Sequence, residues 1–288
     1  MNKMRITLQI RIAALVLAVC STTVTARAQY YYKDIVVTRQ INANYRLIRD
    51  LKVLHVTLTP SAPGPSENNV TLQQTVYPAQ KLVVTYTKVP DATESWLKSY
   101  YNVNGFLIKS VDSSADFVTS SLYEYDAANR ITRISSNSIP VNDPAETEIH
   151  QWIYNSNGQP AQMVKIKNNA DTTFVSFTAD ELGNVGEEKA IRKKGSLGTT
   201  FYYYDAQHRL TDVARFNRKA NRILPDYMFE YNEALQVTQM IVVPEGSADY
   251  QTWKYIYNTQ GLKEKEVCYS KQKQLVASIE YIYSFGKP

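Results

Sequence analysis

Few residues in this chain have the type and spacing that catalysis requires. Ser95-Trp96-Leu97-Lys98 has the Ser-x-x-Lys spacing of a serine activated by a lysine, but no Ser-Asp-Asn or Lys-Thr-Gly follows, so the match reads as chance. The sequence holds no nucleophile elbow, no phosphate-binding loop and no His-Glu-x-x-His. His55, His150 and His208 share no ligand-like spacing, and His208 falls on an expected turn. Asp126, Asn155, Asp180, Asp205, Asn232 and Asn258 recur along the chain and invite a calcium reading. Calcium wants several oxygens converging on one ion, whereas one side chain recurs per unit here, which suits turn building. The expectation is therefore no catalytic residue, no metal site and no cofactor. Cys268, beside Tyr269, reads as a small buried hydrophobe.

Aromatic rings are the other candidates, because flat rings stack on sugars and tyrosine adds a polar edge. The chain has 22 tyrosines and only 10 glycines, a balance that favours strands. Their spacing reveals a repeat. Aromatic-x-Tyr-Asp/Asn occurs at Tyr123–Asp126, Trp152–Asn155, Tyr202–Asp205, Phe229–Asn232 and Tyr255–Asn258. Degenerate copies are Tyr100-Tyr101-Asn102, Phe177-Thr178-Ala179-Asp180 and Tyr281-Ile282-Tyr283-Ser284, and Tyr77-Pro78 is a vaguer one. The second aromatic position falls at 101, 125, 154, 179, 204, 231, 257 and 283, a period of about 26 residues.

Each unit reads as a β-hairpin. The two aromatics stand two residues apart and share one strand face. The Asp or Asn after them can bind backbone N–H groups ahead of it and start a turn. Three residues later comes a position that tolerates positive φ: Gly105, Asn129, Gly158, Gly183 and Gly261, with His208 and Leu235 breaking the preference. Apolar residues follow six positions after the tyrosine (Leu107, Ile131, Val185, Leu210, Val237) and often three further on (Ile134, Met163, Val213, Met240). A spacing of three breaks strand alternation and predicts a β-bulge. Tyr125, Tyr154, Tyr204, Tyr231 and Tyr257 are expected to be equivalent core residues, leaving Tyr30-Tyr31-Tyr32 as the exposed aromatic cluster.

Tyr125-Asp126-Ala127-Ala128-Asn129-Arg130-Ile131 and Tyr204-Asp205-Ala206-Gln207-His208-Arg209-Leu210 resemble the YD-repeat, or RHS-like, family, whose consensus is close to Tyr-Asp-x-x-Gly-Arg-Leu. The resemblance covers about 95–288 and implies hairpins wound into a shell. Large members enclose a toxic C-terminal domain; this chain has too few units for a closed shell and ends inside a repeat strand.

The elements ahead of the repeats complete the layout. Lys3, Arg5 and Arg11, the apolar run Ile12–Cys20 and the small-residue site Ala26-Arg27-Ala28 before Gln29 make 1–28 a secretory signal. Its nine apolar residues are too few to span a bilayer, which takes ~20. Lipidation at Cys20 is the rival, disfavoured because Val19 occupies a position that normally holds a small residue. Removing 1–28 takes four of the 32 Lys+Arg and none of the 27 Asp+Glu, leaving 28 against 27, so a nucleic-acid partner is not expected. Within 29–95, a helix near 36–50, a strand near 54–58, a loop at 59–66 and strands near 70–77 and 81–88 are expected, the helix capping the first sheet edge. Residues 96–288 form the repeats. Asn69-Val70-Thr71 has the form of an N-glycosylation sequon, and Asp171-Thr172-Thr173 resembles a bacterial O-glycosylation sequon, both short enough to arise by chance.

The expected fold is mainly β: an antiparallel meander of about sixteen strands coiling into an elongated curved sheet or half-open barrel. The expected function is that of a non-catalytic exported cell-envelope repeat protein that binds a protein, glycan or surface polymer. The alternatives are a carrier of an apolar ligand in a curved-sheet groove and an enzyme whose site is assembled across repeats. The mature chain is expected to lack a transmembrane span and to be soluble in the periplasm, at the outer cell surface or outside the cell.

Overall fold

A computed structural model describes residues 30–63, 70–90, 92–218, 220–244, 247 and 249–287. The signal, Cys20, the Ala26–Gln29 cleavage site and Asn69 lie outside these residues. Among the described residues one helix, α1 (Lys33–Asp50), precedes β1 (Val53–Ser61), β2 (Thr71–Tyr77), β3 (Leu82–Lys88), β4 (Ser95–Tyr101), β5 (Leu107–Ser114) and β6 (Phe117–Tyr125). The chain continues through β7 (Ile131–Pro140), β8 (Glu146–Tyr154), β9 (Pro160–Lys167), β10 (Asp171–Ala179), β11 (Val185–Arg192) and β12 (Gly195–Tyr204). It ends with β13 (Leu210–Asn217), β14 (Arg222–Tyr231), β15 (Val237–Val242), β16 (Gln251–Tyr257), β17 (Lys263–Ser270) and β18 (Leu275–Phe285). Every strand pairs antiparallel with the next, and β18 pairs antiparallel with β1. No helix of the described residues is long and apolar enough to cross a membrane.

The hairpin expectation is met in its chemistry. Asp126 Oδ1 accepts the N–H groups of Ala128 and Arg130, and Asp205 Oδ1 those of Gln207 and Arg209. Asn102, Asn155, Asp180 and Asn258 do the same in their turns. Positive φ recurs three residues after each: 60° at Asn129, 77° at Gly158 and 85° at Gly183. His208 and Leu235 adopt it too, at 59° and 63°, despite their side chains, because the flanking strands impose the turn. The bulge is present: Tyr125 faces Ile131 while Glu124 faces Arg133, so Thr132 is the extra residue and both Ile131 and Ile134 point inward. The same register shift accompanies Tyr101, Tyr154, Tyr204, Tyr231 and Tyr257.

Four expectations are corrected. The sheet is not half-open; its 18 strands close into a barrel. An even number of strands brings the last beside the first in antiparallel sense, and their inner faces match, with Val56 opposite Tyr283, Leu58 opposite Tyr281 and Pro60 opposite Ile279. Closure pairs two edges that would otherwise expose a row of backbone donors and acceptors, and it extends β1 through Pro60 into the expected loop. Second, α1 does not cap a sheet edge, since no edge is left. It lies inside the wall at the turn end, burying Ile35, Thr38, Asn42, Tyr45 and Ile48 and exposing Arg39, Gln40, Ala43 and Asn44. Third, Tyr30-Tyr31-Tyr32 is an inner cluster: Tyr31 is 5% exposed, and Tyr30 and Tyr32 pack edge-on against Tyr202. Finally, Tyr77 is no repeat copy, because it is exposed and pairs with Leu82 without a bulge.

Candidate functional site

The repeat tyrosines occupy equivalent places, half-buried on the inner wall. Each hydroxyl donates to a backbone carbonyl of the preceding hairpin: Tyr125 to Leu107 (2.8 Å), Tyr154 to Ile131 (2.7 Å), Tyr204 to Val185 (3.0 Å), Tyr231 to Leu210 (2.7 Å) and Tyr257 to Val237 (2.8 Å). Tyr283 continues the series onto Lys263 (2.7 Å). Burial removes the phenolate's solvation, raising the Tyr231 and Tyr257 hydroxyls to about 12, so they remain donors. A second series runs between turns. Arg130, held by Asp126 at 2.6 Å, lies 4.6 Å over the Tyr154 ring, and Arg209, held by Asp205, lies 5.0 Å over Tyr231. Gln159 and Gln236 take the same place and donate to the carbonyls of Gly183 and Gly261. A Cβ on Gly183 would stand 2.7 Å from the Gln159 amide nitrogen, so glycine there serves close approach as well as positive φ.

The densest charge lies where the chain enters α1. His150, inward on β8, is 6% exposed; its Nδ1 lies 2.6 Å from Asp34 and its Nε2 3.0 Å from Glu148. Lys165, beside it on β9, pairs with Glu148 at 2.6 Å. Burial opposes charge on the imidazole, but the two carboxylates outweigh it and raise His150 to about 9. Burial likewise works against Glu148, yet hydrogen bonds from His150 and Lys165 hold its carboxyl down to about 2. Glu188, on β11 and 2% exposed, accepts the N–H groups of Tyr31 (3.0 and 2.9 Å) and Tyr32 (2.9 Å) and the Tyr202 hydroxyl (2.7 Å). Burial raises its carboxyl above the ordinary range. Further along, Asn42 of α1 accepts the Leu107 N–H at 2.8 Å, and Tyr45 stacks on Tyr101 at 3.6 Å.

This arrangement is built for holding. Both nitrogens of the His150 ring face carboxylates, so the imidazolium has no lone pair with which to act as a base. The Asp/Asn oxygens that might suit calcium are occupied by turn N–H groups. Ser95 and Lys98, three residues apart on β4, point to opposite wall faces. His55 and His208 are exposed and bond Thr75 and Asn184. Cys268 is 1% exposed beside Trp253 and Ala277, and burial pushes its thiol up to about 12. Sequence reasoning missed Asp34 as a clamp, together with Glu148, Lys165 and Glu188. A faint signal exists: Glu148, His150, Lys165 and Glu188 are polar residues at inward positions of otherwise alternating strands.

The sequence matches no protein-family model and no curated protein. Among solved structures, it is similar to a chain of a TccC3-mutant Tc holotoxin pore from Photorhabdus luminescens (12% identity, TM-score 0.34), covering 77% of this chain and 13% of that one. It is similar to a porin-like protein from Bacteroides uniformis (10%, TM-score 0.39; 81% and 98% covered) and to TcdB2-TccC3-TEV (10%, TM-score 0.30; 76% and 15%). The chain thus spans about one seventh of each toxin chain, and likenesses at these scores carry no argument about function.

Proposed function

We propose that this is an exported, non-catalytic protein of the YD-repeat, RHS-like kind, serving in a bacterial cell envelope as a binding or structural module for a protein, glycan or surface polymer. The observation that supports it is the use made of the charged interior: Asp34, His150, Glu148, Lys165 and Glu188 are spent on one another and on the chain entering α1. The repeat tyrosines and turn carboxylates are likewise spent on joining hairpins. Such a barrel offers a partner its outer wall, where Phe174, Ile191, Leu197 and Phe216 are more than half exposed between charged neighbours such as Lys189 and Glu187. The leader 1–28 supports export, with soluble release at Gln29 favoured over a lipid anchor at Cys20.

The test is capture from envelope extracts with the mature chain as bait, repeated with Phe174→Ser and Ile191→Ser. A retained partner lost on these changes is the expected result. Turnover of a hydrolase substrate panel that disappears in His150→Gln would overturn the non-catalytic reading, and N-terminal sequencing of exported material that finds a lipidated Cys20 would overturn soluble release.

A further inference from the structure

Charge is unevenly shared among the hairpin tips at the end of the barrel opposite the Asp/Asn turns. At the β11–β12 tip Arg192 pairs with Gly195, which leaves Lys193-Lys194 as the turn; at the β13–β14 tip Asn217 pairs with Arg222 around a turn that begins with Arg218. Strands β12 and β13 are paired, so the two tips are neighbours. Lys193, Lys194, Arg218 and Arg222 are exposed, and among the described residues none of them forms an ion pair. The acids on these strands are already taken, Asp171 by Arg192, Glu187 by Lys189 and Asp226 by Arg215. The β5–β6 and β7–β8 tips carry Asp116 and Asp143 instead. Beside the free cations the outer wall is apolar. Ile191 stands two residues before Lys193, Phe216 two before Arg218 and Ile223 directly after Arg222. Phe174 lies opposite Ile191, Phe216 opposite Ile223, and Leu197 follows on β12. All five are between 42% and 60% exposed. At a rise of ~3.3 Å per residue, each cation is within about 7 Å of an apolar neighbour along its strand.

We propose that this part of the outer wall, at the tip end of β10–β14, docks on an anionic phospholipid surface. Lys193, Lys194, Arg218 and Arg222 meet headgroup phosphates, while Phe174, Ile191, Leu197, Phe216 and Ile223 enter the interfacial layer. Neighbouring cations without partners repel one another, and exposed apolar rings gain on leaving water, so a surface that is anionic outside and apolar beneath answers both. The long lysine and arginine stems let the charge stay among phosphates while the wall beside it sinks deeper. Two observations select a lipid surface over a peptide. The ring of strands is closed, so no edge is open to an added strand. The wall of a closed barrel is convex, and side chains projecting from a convex wall suit a deformable layer, whereas a peptide segment needs a groove. The docking goes beyond the binding proposed above and uses part of the same wall. A vesicle contains no protein, glycan or surface polymer, so either reading can fail alone.

The test is co-sedimentation of the chain 29–288, which holds every described element and lacks the basic leader, with two kinds of vesicle: equal parts phosphatidylglycerol and phosphatidylcholine, and phosphatidylcholine alone. Binding to the anionic vesicles only, weakened by added salt, is the expected result. A cation near an anionic surface contributes about a factor of 5, so neutralising Lys193→Gln, Lys194→Gln, Arg218→Gln and Arg222→Gln together is expected to weaken partitioning by about 100–1,000-fold. A control with Arg39→Gln, Lys98→Gln, Lys109→Gln and Lys254→Gln removes the same charge from exposed positions elsewhere and is expected to bind nearly as the parent does. Ile191→Ser with Phe216→Ser is expected to weaken binding by about tenfold or more; should that pair fail to fold, Phe216→Ser alone replaces it. No binding to the anionic vesicles, equal binding to both kinds, equal losses in the two fourfold variants or no loss in the apolar variant would overturn the proposal. A lipid-free dimer that Phe216→Ser dissolves would also overturn it, by assigning the face to a second copy of the chain.

Discussion

Removing one hydroxyl from the tyrosine series tests whether these residues join hairpins or merely fill space. In Tyr154→Phe the ring keeps its packing and Arg130 keeps its place above it, 4.6 Å from the centroid. What is lost is the 2.7 Å bond to the Ile131 carbonyl, in a residue only 5% exposed. A net hydrogen bond is worth about 1 kcal/mol, and leaving a buried acceptor short adds to that, so a cost of about 1.5 kcal/mol is expected. For a chain of this size that lowers the melting midpoint by about 3–6 °C. The assay is urea and thermal unfolding beside two controls. Tyr203→Phe, outward and 47% exposed, is expected to stay within about 0.5 kcal/mol of the parent. Tyr154→Ala, which also empties the ring's space, is expected to cost about 3–5 kcal/mol. If Tyr154→Phe moved the midpoint no more than Tyr203→Phe, the bond between hairpins would contribute nothing, and the tyrosines would be packing residues that happen to be hydroxylated.

The raised His150 gives a pH signature. A group whose folded value of about 9 exceeds the usual 6.5 contributes stability in full below 6.5 and loses it as pH rises through 9, on the order of 3 kcal/mol; urea midpoints should decline over that window, and His150→Gln should flatten the decline. Leu235→Gly removes a side chain that is 65% exposed from a residue held at φ 63°, so a gain of about 0.5–1 kcal/mol in chemical denaturation is expected; a loss would mean that the Leu235 side chain carries packing of its own. Truncation after Ser270 deletes β18 and frees the edges of β1 and β17; the shortened chain should associate in light scattering, and a stable monomer would show that closure is dispensable.

Much of this protein was legible locally. The period of about 26 residues, the Asp126-type turn, the positive φ at Asn129 and Gly158, and the bulge between Ile131 and Ile134 all follow from interactions within one hairpin. The rules for such short-range geometry act on a few neighbouring residues, so the sequence alone determined them. The α-helix near 36–50 and the strands of the N-terminal third were readable for the same reason. His208 and Leu235 mark the limit, because there the turn is imposed by strands on both sides, against residue preference.

Tertiary structure alone decided the rest. Whether a meander stays open or closes depends on accumulated twist and on how an eighteenth strand meets the first, and neither quantity resides in any one repeat. Val56 and Tyr283 are far apart in the chain and become partners only when the ring is complete. Tyr30-Tyr31-Tyr32 carries no periodicity that would reveal which side of a wall it occupies, and closure placed it within. The Asp34–His150 pair, separated by 116 residues, arises because α1 enters the barrel beside β8. Long-range charge pairing of this kind depends on which residues closure brings together, and sequence spacing holds no record of it.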